Sequence, residues 1–197
     1  RETGKEVANC HKLPASMFDR RRVGVDEMIR GWIPLIDRLS DSNPELRIMF
    51  TVSPIRHLRD GAHENQLSKS VLLLFVDELC RMYPDRCIYF PSYEIVMDEL
   101  RDYRFYDAGM THPNEQAIRY IWERFSEACF SEETQTLNRE WERLEKALNH
   151  RPLTPDKDAF RDFTMQNLFK LKKFWEKYSY FDLSKEIDSL ELFLKTL

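Results

Sequence analysis

The residues best suited to chemistry lie in an irregular stretch, 103–112, that ends in a histidine. His112 is followed by Pro113, which restrains the backbone beside the imidazole, and by Asn114, a residue type that caps helices. An imidazole is suited to taking a proton from a hydroxyl nucleophile near neutral pH. His112 is therefore a candidate general base. The alternative is a histidine at a helix start that bonds a nearby carbonyl group.

A second group of polar residues occupies the loop 53–62, which follows the apolar run 46–52. Ser53, Arg56 and His57 could line a pocket there, where arginine suits an anionic substrate group. The alternative is a structural cluster of salt bridges with the acids of the same loop and of the next helix. The acids of that cluster would be Asp60 and Glu64. We favour the pocket for His57 and the structural role for Arg59.

Alternating strands and helices predict the elements that position these loops. Short apolar runs at 6–9, 46–52 and 87–90 indicate strands, and helical periodicity at 25–39 and 64–83 indicates the helices between them. This order predicts an α/β fold with a parallel sheet and right-handed crossovers. Functional groups on such a sheet collect at the carboxyl ends of the strands. Further helices are predicted at 93–100 and 114–130, and Pro34 is expected to kink or restart the first helix.

The sequence pattern changes after residue 130, from alternating strands and helices to helices alone. Three amphipathic helices are predicted, at 133–148, 155–178 and 183–194, with apolar stripes against charged and solvated faces. We therefore divide the chain into an α/β domain, 1–130, and a C-terminal helical subdomain, 131–197. The last helix carries a seam that could pack on the domain or on a second subunit, formed by Leu183, Ile187, Leu190 and Leu194.

Composition excludes several classes of function. Hydrophobic residues make up 42% of the 197 residues, which is typical of a folded domain, and a net charge of −4 argues against a nucleic-acid binder. No apolar run is long enough to span a bilayer.

The first residues contain no Met and form no signal peptide, so Arg1 is interpreted as a cut end.

The four cysteines fit neither the spacing of a metal site nor a disulfide framework. Cys80 and Cys129 fall on apolar helix faces and Cys87 begins a strand, so buried, reduced thiols are expected, which favours a cytoplasmic location. Cys10 and His11 could form a nucleophile pair, but neighbouring residues on an extended segment point to opposite faces. We discount that pair.

Several segments of the chain resemble the GSCFA family. The longest are FTVSPIRHLRDGAHENQ at 50–66 and YFPSYEIVMDELRDYRFY at 89–106, and HPNEQA follows at 112–117. Shorter similarities lie at 7–14, 147–152 and 180–184. GSCFA proteins are classed with the SGNH hydrolases, which are GDSL-like esterases. The resemblance therefore implies a flavodoxin-like, three-layer parallel sheet that cleaves esters with Ser, His and Asp.

The resemblance also implies roles for individual residues. His112 would be the general base, and Asn9, at a strand end, would donate to the oxyanion. A turn residue that satisfies local backbone is the alternative for Asn9. SGNH enzymes usually place the orienting acid three residues before the histidine, where this chain has Gly109, so Asp107 is the candidate substitute.

The motif that names the family, Gly-Ser-Cys-Phe-Ala, does not occur in the 197 residues. The nucleophile and the first strand and helix are therefore expected upstream of Arg1. Without that strand the sheet would expose an apolar edge unless another chain or segment covers it, so a homo-oligomer could form through this edge or through the C-terminal helices. The expected activity is cleavage of an acyl or acetyl ester on a small molecule, carbohydrate or lipid, with no cofactor or metal. The alternative, which Gly109 favours, is a catalytically impaired binding or assembly module.

Overall fold

The structure is a computed structural model that describes residues 1–7, 13–150 and 157–195. It divides into two compact units, Arg1–Arg124 and Phe125–Leu197. The first unit contains both strands and the candidate site. The second unit consists of helices in its described part.

The first unit is built around α1 (Val25–Ser42), β1 (Ile48–Phe50), α2 (Ala62–Met82) and β2 (Cys87–Tyr89). Helix α1 begins after Gly24, and acidic side chains in its first turn suit the positive end of the helix dipole. One face of α1 packs against α2 and the strands, with Trp32 lying 5.2 Å from Phe50 and 5.8 Å from Phe75 between ring centroids. Ile36 and Leu79 are fully buried in this core.

The two strands pair in parallel, and α2 connects them. Ile48 lies opposite Cys87, and Phe50 lies opposite Tyr89. The carboxyl ends of the two strands are also hydrogen-bonded, because the Phe90 N–H donates to the Phe50 carbonyl at 2.9 Å. The carboxyl end of β1 therefore leads directly into the loop that carries Ser53, Arg56 and His57.

The chain after β2 remains compact but forms no further strand in the described residues. A short helix, α3 (Ser92–Glu94), continues into a π-helical turn at Ile95–Glu99, and a single 3₁₀ turn follows at Tyr103–Phe105. Helix α4 (Glu115–Cys129) is capped by Asn114, whose Oδ1 accepts the Ala117 N–H at 3.1 Å. The predicted cap of this helix is confirmed.

The second unit packs α5 (Glu132–Leu148), α6 (Lys157–Lys177) and α7 (Ser184–Leu194) around one apolar core. Ser131 caps α5, because its Oγ accepts the Thr134 N–H at 3.2 Å. The predicted seam on α7 packs inside this unit: Leu183 and Ile187 are buried with Leu171 and Phe174, and Leu190 packs against them. Three of the four seam residues are thus packed within their own unit, whereas Leu194 is half-buried and lies outside that core.

The predicted flavodoxin-like, three-layer sheet is wrong. Helix accounts for 65% of the structure and strand for 4%, in one sheet of two strands. The local pattern of strand, helix and strand is correct at 46–90, but one crossover supports only one parallel pair. The remaining apolar segments bury their faces as helices instead. The first predicted strand, 6–9, lies partly outside the described residues.

Expectations for single residues have different outcomes: the helix does not restart at Pro34, Cys87 is buried as expected, and Cys129 is not buried. Pro34 lies inside α1, which runs without interruption from Val25 to Ser42. Cys87 is buried and Cys80 is half-buried, and burial raises the pKa of both thiols. Cys129, the last residue of α4, is exposed, so the expectation of a buried thiol is wrong there. Cys10 lies outside the described residues. None of the helices in the described ranges is long and apolar enough to cross a membrane.

Candidate functional site

The candidate site is the loop 106–113. Hydrogen bonds between the backbone at its two ends close this loop. Tyr106 and Pro113 form an antiparallel bridge, and the Asp107 N–H donates to the His112 carbonyl at 2.8 Å. The Asn114 N–H donates to the Phe105 carbonyl at 2.9 Å, next to the start of α4. The backbone on both sides of His112 is therefore fixed by the chain before the loop.

Asp107 is folded back toward the histidine. Its Oδ1 accepts the Thr111 N–H at 3.2 Å and the His112 N–H at 3.4 Å. Its Oδ2 lies 3.6 Å from His112 Nδ1, which is just beyond hydrogen-bond length and becomes a charge contact when the imidazole is protonated. The hydrogen bond from the Thr111 N–H is the main reason that the pKa of Asp107 is lowered, and the His112 N–H and the His112 charge add to it. Asp107 is therefore an anion at neutral pH.

The open geometry of the loop suits proton transfer. The His112 side chain is 58% exposed and that of Asp107 is 44% exposed. With Nδ1 turned toward the carboxylate, Nε2 on the opposite side of the ring is the atom that can exchange a proton with a reactant. The arrangement is that of a base with an acid placed to stabilise its protonated form.

Gly109 lies beside the carboxylate of Asp107 in this loop. A Cβ at position 109 would lie 3.4 Å from Asp107 Oδ1. That distance is an ordinary van der Waals contact, so a small side chain would fit at position 109, whereas a second carboxylate there would repel that of Asp107. The turn is completed by Met110 in the left-handed region, with φ at 58°. A non-glycine residue in this region is uncommon and marks a constrained turn.

Arg56 joins the second loop to the first. Its backbone N–H donates to the carbonyl of Thr111, the residue before His112, at 3.0 Å. Its guanidinium carbon lies 4.1 Å from the centroid of the Tyr106 ring and 5.4 Å from that of Tyr103. The structure thus brings together Asp107, His112 and Arg56, three of the residues predicted for the site.

Two other predicted residues make contacts within their own loop and with α2. The Ser53 Oγ accepts the Ile55 N–H at 3.2 Å, and the His57 N–H donates to Asn65 Oδ1 at 2.9 Å. Both side chains are exposed. Within the described part of the chain no hydrogen bond joins either of them to His112. Asn9, the candidate oxyanion donor, lies outside the described residues.

The salt bridges expected around Arg59 form with other partners. Arg20 pairs with Asp60 at 3.0 Å, and Arg22 pairs with Glu64 at 2.9 Å. The segment before α1 therefore supplies the cations, and Arg59 makes no ion pair among the described residues. The prediction of a structural role for Arg59 in this cluster is wrong, because the two acids are already neutralised.

Comparison with known families places the chain. Residues 1–125 match the GSCFA family, and residues 141–196 match the C-terminal domain of GSCFA domain proteins. The chain belongs to the GSCFA family. No curated protein and no solved structure matches it significantly. The two matched ranges of this GSCFA chain fall in the first and the second structural unit, apart from one residue at the boundary.

The GSCFA chain also buries a lysine beneath the second loop, which sequence reasoning missed. Lys69 lies on α2 and is 2% exposed, and its Nζ donates to the Ser53 carbonyl at 2.5 Å. Desolvation lowers the pKa of this amine. The only sequence signal was its position within the apolar stretch 67–76. Lys69 holds the end of β1 and so positions the loop that carries Arg56.

Lys69→Met is expected to remove a pH dependence from the stability of the GSCFA chain. Because the native pKa lies below 10.5, the unfolded chain binds more protons between the two values, and the free energy of unfolding rises with pH across that window. The variant has no such amine and lacks this gain. Urea denaturation between neutral pH and the ordinary lysine pKa measures the difference in slope. Equal slopes for both proteins would contradict the buried position of the charge.

The tyrosines around Arg56 were also missed, although Tyr103 and Tyr106 stand three positions apart in the irregular stretch. Aromatic residues at that spacing next to a polar loop are an available signal for a stacked cation. In the described ranges no group of three or more His, Cys, Asp or Glu side chains could hold a metal ion. The side chains of this GSCFA site that could take part in chemistry include a histidine, a carboxylate and a guanidinium group.

Proposed function

We propose that the protein is a serine ester hydrolase that cleaves acyl or acetyl esters of small molecules, carbohydrates or lipids. The observation that carries the proposal is the contact of 3.6 Å between Asp107 Oδ2 and His112 Nδ1 on a loop closed by backbone hydrogen bonds. Membership of the GSCFA family supports it through the resemblance of that family to SGNH hydrolases. The proposed chemistry depends on this pair of side chains and not on the number of strands in the sheet.

In the proposed mechanism His112 activates a serine hydroxyl. Nε2 takes the proton as the serine oxygen attacks the carbonyl carbon of the ester, and the carbonyl oxygen becomes an oxyanion. The imidazolium then gives its proton to the departing alkoxide, and the acyl group remains on the serine. Water activated by the same imidazole hydrolyses the acyl-enzyme. Asp107 stabilises the imidazolium by its charge in both halves of the cycle.

The serine is proposed to lie outside the 197 residues. The Gly-Ser-Cys-Phe-Ala motif is absent from them, and Ser53 belongs to a different family segment. The Ser53 Oγ also has a local partner in the Ile55 N–H. Asn9 is proposed to donate its side-chain amide to the oxyanion. A donor of this kind typically contributes about 10²–10³ in rate.

A binding or assembly module is the second candidate. It is favoured by the separation of 3.6 Å between Asp107 and His112, which leaves the base without a full hydrogen bond to its acid. Such a site would keep the shape of an esterase pocket without turnover. The two candidates make different predictions for covalent labelling.

Fluorophosphonate labelling followed by intact mass is expected to modify only the protein that contains the family's serine motif. The reagent phosphonylates an activated serine with loss of fluoride, and activation needs a nearby base. The 197-residue chain and a version extended upstream through that motif are compared at equal concentration. A single adduct on the extended protein alone supports the esterase.

Two other outcomes of the labelling contradict parts of the proposal. An adduct on the 197-residue chain would mean that the nucleophile lies within it, with Ser53 as the first position to examine by peptide mapping. No adduct on either protein would contradict the esterase and favour the binding module. A heat-unfolded sample of the extended protein is the control, because an adduct that depends on the fold must disappear there.

A further inference from the structure

A small cavity lies directly beside the candidate site. Its volume is about 180 Å³, and its polar walls include Arg56, Arg101 and Tyr103. Val96 and Leu100, both buried, form part of its apolar wall. A cavity that is mostly apolar and contains a few polar groups is typical of a site for a small substituent of a ligand.

Arg56 places a positive charge in the wall of this cavity. In the described ranges its guanidinium makes no ion pair, whereas the other charges on the walls are matched. Arg101 lies 3.5 Å from Asp98, and Asp102 lies 3.9 Å from Arg104. The carboxylate in the cavity wall, Asp102, is thus already paired with Arg104. An unmatched cation in the wall of a cavity favours an anion inside it.

The guanidinium is also held in place. It lies 4.1 Å above the Tyr106 ring, which is buried, and 5.4 Å from the Tyr103 ring. Stacking on an aromatic face restricts a guanidinium while its N–H donors stay free to point outward. A planar fork of donors fixed in this way matches the two oxygens of a carboxylate or a phosphate.

The backbone connects this cavity to the candidate base. The backbone N–H of Arg56 donates to the carbonyl of Thr111, the residue before His112, at 3.0 Å. Tyr106 pairs with Pro113, the residue after it, in the antiparallel bridge. Arg56 and its aromatic partner are therefore attached to both sides of His112. A group bound in the cavity is held at a fixed position relative to the imidazole.

We propose that this cavity binds an anionic group of the substrate, a carboxylate or a phosphate, through the Arg56 guanidinium. The inference rests on the proposed esterase function and specifies its substrate class: an ester that carries a negative charge on a short apolar arm. Val96 and Leu100 contact the arm, and Arg56 binds its charged end. Neutral esters lack this contact and are poorer substrates.

Anion binding is tested first, on the 197-residue chain and without any turnover. Inorganic phosphate and acetate are titrated separately into the chain, and the Arg56 side-chain N–H signal is followed by NMR, with acetamide as the neutral probe. The expected result is a saturable shift with at least one anion and none with acetamide. The anion that binds more tightly identifies the charged group as phosphate or carboxylate. No saturable shift with either anion overturns the proposal.

Variants locate the binding. Arg56→Gln is expected to weaken anion binding by at least about tenfold, the loss typical of a hydrogen bond to a charged group. Arg59→Gln is the matched control: it removes the same charge from the same loop, and Arg59 lines a different cavity. Equal weakening by both variants would indicate general electrostatics and overturn the site. Arg56→Lys keeps the charge without the fork and is expected to bind with intermediate affinity; circular dichroism checks that each variant is folded.

Hydrolysis separates this inference from the proposed function. In the protein that includes the serine motif, kcat/KM is compared for a 4-nitrophenyl ester with a terminal carboxylate and for its neutral amide analogue. Arg56→Gln is expected to lower the ratio of the two values by about tenfold, mainly through the KM of the anionic ester. An unchanged ratio overturns the anion subsite, while hydrolysis still supports an esterase. Anion binding at Arg56 with no hydrolysis of either ester contradicts only the esterase.

Discussion

His112→Ala is expected to lower kcat for ester hydrolysis by about 10²–10⁴-fold, the contribution typical of general acid–base catalysis. The loss is large because the same imidazole takes a proton from the serine and returns it to the leaving alkoxide. The stability of the fold is expected to change by less than about 0.5 kcal/mol, because the side chain is exposed and its contact with Asp107 is exposed to solvent as well. Steady-state kinetics on the protein that includes the serine motif measures the loss, with urea denaturation beside it.

His63→Ala is the matched control for this prediction. His63 is an exposed histidine in the first turn of α2 and makes no contact with the candidate site in the described structure. Its removal is expected to leave kcat unchanged. If His112→Ala retained full activity, the assignment of the base to His112 would be wrong.

Asp107→Asn is expected to give an intermediate loss in kcat, smaller than that of His112→Ala. The amide keeps an oxygen that can accept the Thr111 N–H, so the loop remains closed while the negative charge is removed. The separation of 3.6 Å is too long for a strong hydrogen bond, so only the electrostatic support of the imidazolium is lost. A loss as large as that of His112→Ala would mean that the pair draws together in the substrate complex.

Leu171→Ala is expected to lower the free energy of unfolding of the second unit by about 2–5 kcal/mol. Leu171 on α6 is fully buried and packs in the core of this unit with Phe174 and Leu183. Truncation removes apolar contacts and leaves a cavity, because helices packed on several sides of the residue cannot fully collapse into it. Chemical denaturation followed by circular dichroism measures the change, and the fluorescence of Trp141 and Trp175 reports on the same core.

Leu192→Ala provides the control for the core. The same truncation is made on α7, where the side chain is 65% exposed, so the expected change is below about 0.5 kcal/mol. Similar changes for the two variants would contradict the packing of Leu171. A loss for Leu171→Ala of less than 1 kcal/mol, on the scale typical of surface sites, would do so as well.

The helices were predictable from the sequence because each has a strong apolar period and local signals at its ends. The predicted helix 64–83 is observed as Ala62–Met82, and 133–148 is observed as Glu132–Leu148. Both strands that follow from apolar runs at 46–52 and 87–90 are present and parallel. The size of the sheet was not predictable, because a local pattern of strand, helix and strand does not state how many such units a chain contains.

The candidate site was predictable in part. His112, Asp107 and Arg56 were chosen for their residue types, and the structure brings them together on two loops. The partners of Asp60 and Glu64 were not predictable, because Arg20 and Arg22 lie about forty positions away in the chain. Ion pairs at that separation depend on how the segment before α1 lies across the first unit.

The sequence by itself determined the family, the helices, the two short strands and the residue types available for acid–base chemistry. These follow from local periodicity and from motifs that occupy consecutive positions. Only the tertiary structure decided that Asp107 folds back on His112, that Arg56 stacks on Tyr106 and that Lys69 is buried beneath Ser53. Each of these depends on backbone hydrogen bonds and packing between segments distant in sequence or on the closure of a loop, and such contacts leave no periodic signal in the chain.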